Sequence, residues 1–412
     1  MIQLQEKSDC VGCEACAQRC PKHCITMQED AEGFFYPQID TEKCIDCGLC
    51  ERVCPVIHQG EPRKPLVAYA AKNQDESVRL SSSSGGVFTA LAGHVIAQGG
   101  VAFGARIDAQ GKVFHDFTES CEGLAAFRGS KYVQSRIGNA FRNVEKFLKE
   151  GRMVLFSGTP CQVAALHLFL RKGYDKLITV DFICHGVPSP GVFRRYLSEL
   201  KGQLISFDKE KGREVEFKNI LFRDKVKGWK EFSFSLEFSK DQFQYRRTFS
   251  ETLKRNIFLR GFLADLYLRP SCYHCPAKKQ KSGSDITIGD FWGISRTYPQ
   301  FDDDKGVSAV LINTAKGKSL WLDIINQLET KETTYQVISL GNPALERAAQ
   351  CPEKRDEFFR NPDQSIASRV KRLCFTRELK NQLKHYVRKI LSSVGLLEFI
   401  RKVRNKGKYQ SV

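Results

Sequence analysis

The residues best suited to chemistry in this chain are its cysteines, and they are spaced rather than scattered. Cys10, Cys13, Cys16 and Cys20 are followed by Pro21, and Cys44, Cys47, Cys50 and Cys54 by Pro55; each cysteine of the second run lies 34 residues beyond its counterpart in the first. Thiolates in this spacing suit iron–sulfur cubanes, with the fourth cysteine of each run ligating the cluster of the other. One 4Fe-4S cluster is thus assigned to Cys10, Cys13, Cys16 and Cys54, and a second to Cys44, Cys47, Cys50 and Cys20. The chain must wrap tightly for three thiolates from so short a stretch to reach one cube. Gly12 and Gly48 relieve that crowding, and Pro21 and Pro55 end each wrap. Disulfides and zinc also use cysteine, but neither explains two identical runs each closed by proline.

Of 16 cysteines, eight remain outside these runs: Cys24, Cys121, Cys161, Cys184, Cys272, Cys275, Cys351 and Cys374. Only Cys161, Cys184, Cys272 and Cys275 sit in glycine- or proline-marked loops beside strands or turns. Four thiolates meeting at one sheet edge would hold a third 4Fe-4S cluster, and zinc competes for the same set. Cys24 and Cys121 read as small buried side chains, whereas Cys351 and Cys374 lie in a polar tail region. Two further segments carry polar chemistry. Ser84-Gly85-Gly86-Val-Phe-Thr89 opens an apolar helical pattern, where free amides favour an anion such as a cofactor diphosphate; an ordinary N-cap with glycines for close packing fits equally well. Gly129-Ser130-Lys131-Tyr132 sets a cation beside a hydroxylated ring.

The elements that must position these groups follow from hydrophobic pattern. Strand runs at 66–71, 101–107, 112–117, 152–157, 177–183, 285–289 and 307–312 alternate with helical stretches. The succession strand, loop, helix around Cys161 and again around Cys184 implies parallel strands, with both loops at the carboxyl edge where open sheets bind ligands. Period-2 alternation through Phe232, Phe234, Leu236 and Phe238 implies antiparallel, half-buried strands over 203–249, and a helix is expected over 317–328. Phe222-Arg223-Asp224-Lys225 with Trp229 reads as a charged loop or a cofactor wall. The polar, proline-broken stretch 59–65 reads as a linker. The expected organisation is an α+β ferredoxin-like domain (1–61), an α/β domain with a mixed, partly parallel sheet (62–335), and a basic helical region (336–412).

Composition bounds the function. With 42% hydrophobic and 11% aromatic residues the chain can bury a core. Cluster thiolates require a reducing compartment, the first residues lack a signal-peptide pattern, and no apolar run approaches the roughly 20 residues of a membrane helix, so a cytoplasmic protein is expected. The net charge is +17, and residues 351–412 hold 16 Lys plus Arg against 6 Asp plus Glu. A basic tail of this kind lies on anionic lipid, docks an acidic partner such as a ferredoxin, or stands solvated, and it argues little for nucleic acid.

Taken together, the Ser84–Thr89 segment, Gly129–Tyr132, Gly158-Thr-Pro-Cys161-Gln162, and Cys272-x-x-Cys275 with Asp285-Ile-Thr-Ile-Gly289-Asp290 resemble the family of β subunits of deazaflavin-reducing (coenzyme F420) hydrogenases and dehydrogenases. The resemblance covers roughly residues 1 to 330. It implies FAD, with Ser84, Gly85, Gly86, Thr89, Gly129, Ser130, Lys131 and Tyr132 at the flavin, and it supports Cys161, Cys184, Cys272 and Cys275 as cluster ligands. It also implies hydride exchange at the flavin with clusters carrying single electrons, His185 and Asp290 being the polar side chains nominated near substrate. The substrate is then a small organic molecule or the deazaflavin coenzyme; members with their own double cysteine run also occur in surface-polysaccharide functions. An electron-transfer subunit of a larger redox complex is the alternative.

Overall fold

In a computed structural model of the protein, residues 1–206, 215–240 and 245–374 are described. The two cysteine runs wrap around short helices, Ala15–Arg19 and Leu49–Arg52, on either side of an antiparallel hairpin of β1 (Ile25–Glu29) and β2 (Phe35–Ile39). The 34-residue repeat is also a repeat of backbone. Gly12 and its counterpart Asp46 have φ of 67° and 47°, and Glu14 and its counterpart Gly48 have φ of 59° and 68°. Each wrap therefore needs two left-handed residues, and each run supplies one glycine and one acid for them.

The centre of the molecule is an eight-stranded sheet. Its strands are β3 (Val67–Asn73), β4 (Val101–Ile107), β5 (Val113–Thr118), β6 (Val154–Gly158), β7 (Leu177–Phe182), β11 (Ile286–Asp290), β12 (Ser308–Ile312) and β13 (Leu328–Thr333), in the order β13-β3-β12-β11-β7-β6-β4-β5. β4, β6, β7 and β11 run parallel, and the remaining neighbours are antiparallel. The sheet is mixed and partly parallel as expected, but β12 enters antiparallel rather than as a further parallel step. The helix expected over 317–328 runs Ala315–Ile324 and gives way to β13. That polar edge strand buries Leu328 and little else, so its sequence carries no strand alternation.

Both faces of the sheet are covered. Leu155, Ile178, Val310 and Ile312 pack with helices Val87–Ala97 and Ala315–Ile324, while Val154, Phe156 and Leu177 face helices Ala140–Lys149 and Pro160–Leu170. This explains continuous apolar strands rather than alternating ones. Val11, Ala15 and Val53 of the cysteine wraps belong to the second of these clusters, so the N-terminal region is packed into the sheet domain.

A second core lies beside the sheet. The antiparallel strands β8 (Val215–Asp224), β9 (Ser233–Lys240) and β10 (Tyr245–Thr252) bury Phe234, Leu236 and Phe238 against helix Pro190–Ser206 and helix Ile257–Leu263. Phe358, Ile366, Val370 and Leu373 join the same core. The beginning of the region read as polar tail is thus a packed strap. Arg355 in it holds Glu32 of the β1–β2 turn through two contacts of 3.0 and 2.6 Å. Most of the basic excess of residues 351–412 lies outside the described residues. Among the described residues no helix is long and apolar enough to cross a membrane.

Candidate functional site

Cys10, Cys13, Cys16 and Cys54 of the first assigned set are neighbours. Burial first, then the charges of Cys16, Cys54 and Cys10, push the Cys13 thiol well above its ordinary value. Burial and the neighbouring Cys10 and Cys54 raise Cys16 to about 12. Free thiols in such a place stay protonated, and only a bound metal centre makes thiolates of them. Cys20, Cys44, Cys47 and Cys50 line a second cavity, near the surface on the Cys47 side, where that residue is exposed. Cys24 lines it too, with its Sγ 3.3 Å from that of Cys20. Cys24 is buried as expected, but against Cys20; the four-residue step from Cys20 was the only signal of it.

The third set comes from three separate places in the chain. The turn after β6 opens helix Pro160–Leu170, capped by Thr159 in a reciprocal box with Gln162, and this fixes Cys161 at the helix's first turn. Cys184 follows β7, and Cys272 and Cys275 belong to the short turn Pro270–His274 and its end. All four line one cavity, partly open to solvent, together with Val11 and His185. Burial, then the charge of Cys275, raises Cys161 to about 12, and burial takes Cys272 to about 11. Cys184 is pushed well above its ordinary value, again chiefly by burial. Among the described residues no group of three His, Cys, Asp or Glu side chains is placed to hold a single metal ion. Cys121, expected to be buried, is exposed at the turn after β5.

The two segments assigned to a flavin are neighbours. The Ser83 hydroxyl accepts from the Ser130 amide at 2.6 Å, and the Thr89 hydroxyl accepts from Arg128 Nε at 3.2 Å. Ser84 Oγ donates to the carbonyls of Val307 and Gly289, and the Gly85 amide donates to Ser308 Oγ, so the loop is tied down onto the sheet edge. A Cβ at Gly85 would come within 2.2 Å of the Ala71 carbonyl, which is why glycine stands there. Helix Val87–Ala97 begins at Gly86 with no side-chain cap, leaving its first-turn amides available. Lys131 instead turns back to the carbonyls of Ala126 and Arg128.

His185 and Asp290 occupy different surroundings. His185, at the cysteine cavity, pairs with Asp265 at 2.5 Å. Asp290 holds the buried Arg223, accepts from Trp229 Nε1 at 2.7 Å, and through Arg223 reaches the Tyr132 hydroxyl. The Phe222–Trp229 stretch is therefore a wall of the Tyr132 neighbourhood, not a loose charged loop. Phe262 joins the two places, its ring 4.7 Å from that of Tyr132 and 5.4 Å from that of His185.

Two family models match the sequence: a 4Fe-4S dicluster domain over residues 9–57, and the C terminus of the coenzyme F420 hydrogenase/dehydrogenase beta subunit over residues 151–336. Residues 151–336 are thus similar to the C-terminal part of F420 hydrogenase/dehydrogenase beta subunits, and residues 9–57 to a 4Fe-4S dicluster domain. An F420H2 dehydrogenase subunit of Methanosarcina mazei is 25% identical to this chain over 183 residues, covering 42% of this chain and 51% of the M. mazei protein. The match thus spans about half the M. mazei protein's length. A 7Fe ferredoxin of Hydrogenibacillus schlegelii is 39% identical over 71 residues, 16% of this chain and 85% of the ferredoxin. A chain of the F420-reducing NiFe hydrogenase complex from Methanosarcina barkeri overlaps 69% of this chain and 90% of its own length, at 18% identity and a TM-score of 0.44.

Proposed function

We propose that this chain is an iron–sulfur flavoprotein oxidoreductase with three 4Fe-4S clusters and one FAD, acting on a small organic substrate or the deazaflavin coenzyme. The observation that carries the reading is the third cysteine set: four thiols from three separate loops surround one cavity whose wall includes Val11, between the ligands Cys10 and Cys13. Clusters there supply single-electron carriage, and FAD the exchange between single electrons and hydride. This chain's own residues would do the holding. Cys161, Cys184, Cys272 and Cys275 take the third cluster; the uncapped amides after Gly86 take the FAD diphosphate; Arg223, fixed by Asp290, orients Tyr132 at the ring. The Tyr132–Phe262–His185 contacts support short spacing between the flavin and the third cluster.

Anaerobic preparations analysed for iron, sulfide, zinc and flavin test this reading. About twelve iron and one FAD per chain are expected in the wild type, falling to about eight iron in Cys272→Ser with Cys275→Ser. Eight iron in both removes the third cluster, zinc lost on mutation makes that site structural, and a chain that never binds flavin is no flavoenzyme. A second reading, an electron-transfer subunit that works only within a larger complex, is favoured by the M. mazei relative being a dehydrogenase subunit. Co-purification with another redox subunit, and no viologen-linked turnover alone, separates it from the first.

A further inference from the structure

Arg269 is fully buried, yet among the described residues no carboxylate pairs with it. By contrast, the buried Arg223 holds Asp290, Arg79 holds Asp303 and Arg355 holds Glu32. The Arg269 guanidinium donates to the Cys10 carbonyl at 2.6 Å, to Gln134 Oε1 at 2.9 Å and to the Phe35 carbonyl at 3.0 Å, and it lies over the Tyr36 ring at 4.3 Å. All are neutral groups. A buried cation without a counter-charge is costly, which points to negative charge nearby from another source.

Its position says which source. On one side the guanidinium touches the wrap of the first cysteine run: beyond the Cys10 carbonyl, a Cβ on Gly12 would meet Arg269 Nη1 at 2.8 Å. On the other side, its own backbone carbonyl accepts from the Cys272 amide at 2.8 Å, three residues along the turn that carries the third set. Gln134, which fixes one arm of the fork, also donates to the Val11 carbonyl, and Val11 walls the third cavity. A 4Fe-4S cluster with four thiolates is a net anion whose potential responds to nearby charge.

We propose that Arg269 is the shared counter-ion of the first and third clusters, raising the reduction potentials of both and leaving the Cys20/Cys44/Cys47/Cys50 cluster untouched. It is a positioning and tuning residue rather than a catalytic one. The proposal rests on the three-cluster reading and deepens it. A positive charge between two clusters stabilises the added electron on either, so removing or neutralising it lowers both potentials.

The test is an anaerobic redox titration of the full chain, followed by electron paramagnetic resonance, on the wild type, Arg269→Gln and Gln134→Glu. The Gln134→Glu variant keeps the cation and its packing but supplies the missing carboxylate at the same arm. Both variants are expected to hold about twelve iron and to show two of three midpoint potentials shifted downward, the third unmoved. If Arg269→Gln does not load iron, Gln134→Glu decides alone. Twelve iron with no potential shifted, or with all three shifted alike, overturns the role of Arg269 while leaving three clusters in place. A wild type with eight iron overturns the three-cluster reading instead.

Discussion

At the scale of the residue, Glu14 shows how local strain and docking are balanced. It sits at φ 59°, where its repeat counterpart is Gly48, yet its carboxylate accepts from Arg136 Nε at 2.5 Å and from the amides of Ile137 and Gly138. Left-handed geometry costs a non-glycine residue about 1–2 kcal/mol, whereas losing one partner of a buried ion pair costs about 3–5 kcal/mol. The second effect wins, so Glu14→Gly should lower stability by about 2 kcal/mol although it relieves the backbone. Chemical denaturation of the iron-loaded protein measures it, and a Glu14→Gly chain more stable than the wild type would refute this account. The spacing of eight cysteines made a dicluster domain legible from sequence. The role of Glu14 was not legible, because nothing local separates an acid needed at a distant arginine from a solvated one.

At the scale of elements, strands buried on both faces were readable as apolar runs, since β6 and β7 have no solvent face to dilute the pattern. The polar edge strand β13 was not, because its pairing with β3 is through backbone rather than through an apolar face. The strap was misjudged by composition: its apolar side chains are few, but Ile366, Val370 and Leu373 lie at helical spacing and are all buried. The ion pair from Arg355 to Glu32 ties that strap to the β1–β2 turn, both side chains being largely shielded, at 7% and 16% exposure. Arg355→Met should therefore cost about 3 kcal/mol, and the loss should shrink when Glu32→Gln is added. A double-mutant cycle by urea unfolding gives the coupling, and strictly additive losses would show that the pair does not act as a unit.

At the scale of the whole molecule, the N-terminal wraps and the sheet domain share one apolar cluster, which holds Val11, Cys13, Ala15 and Val53 beside Phe141, Phe156 and Leu166. Cluster binding and folding are then linked across the chain. Calorimetry of the iron-loaded protein should give one transition spanning both regions, and stripping iron with an oxidant and chelator should lower that transition as a whole. Two separate transitions, with only the smaller one responding to iron, would mean that the regions unfold independently. The linker reading of residues 59–65 fits an irregular segment, but Arg63 pins it through the Gln280 and Ser284 carbonyls, so it is no hinge.

One wall residue has an implication for engineering. Val11 belongs by sequence to the dicluster run and by position to the lining of the cysteine cavity in the sheet domain. A foreign ferredoxin grafted onto residues 62–374 would bring its own side chain to that place, and with it a gap or a clash at the cavity. Exchange of electron-input modules, the usual route to rewiring a redox protein, would here have to carry the matching wall along with the graft.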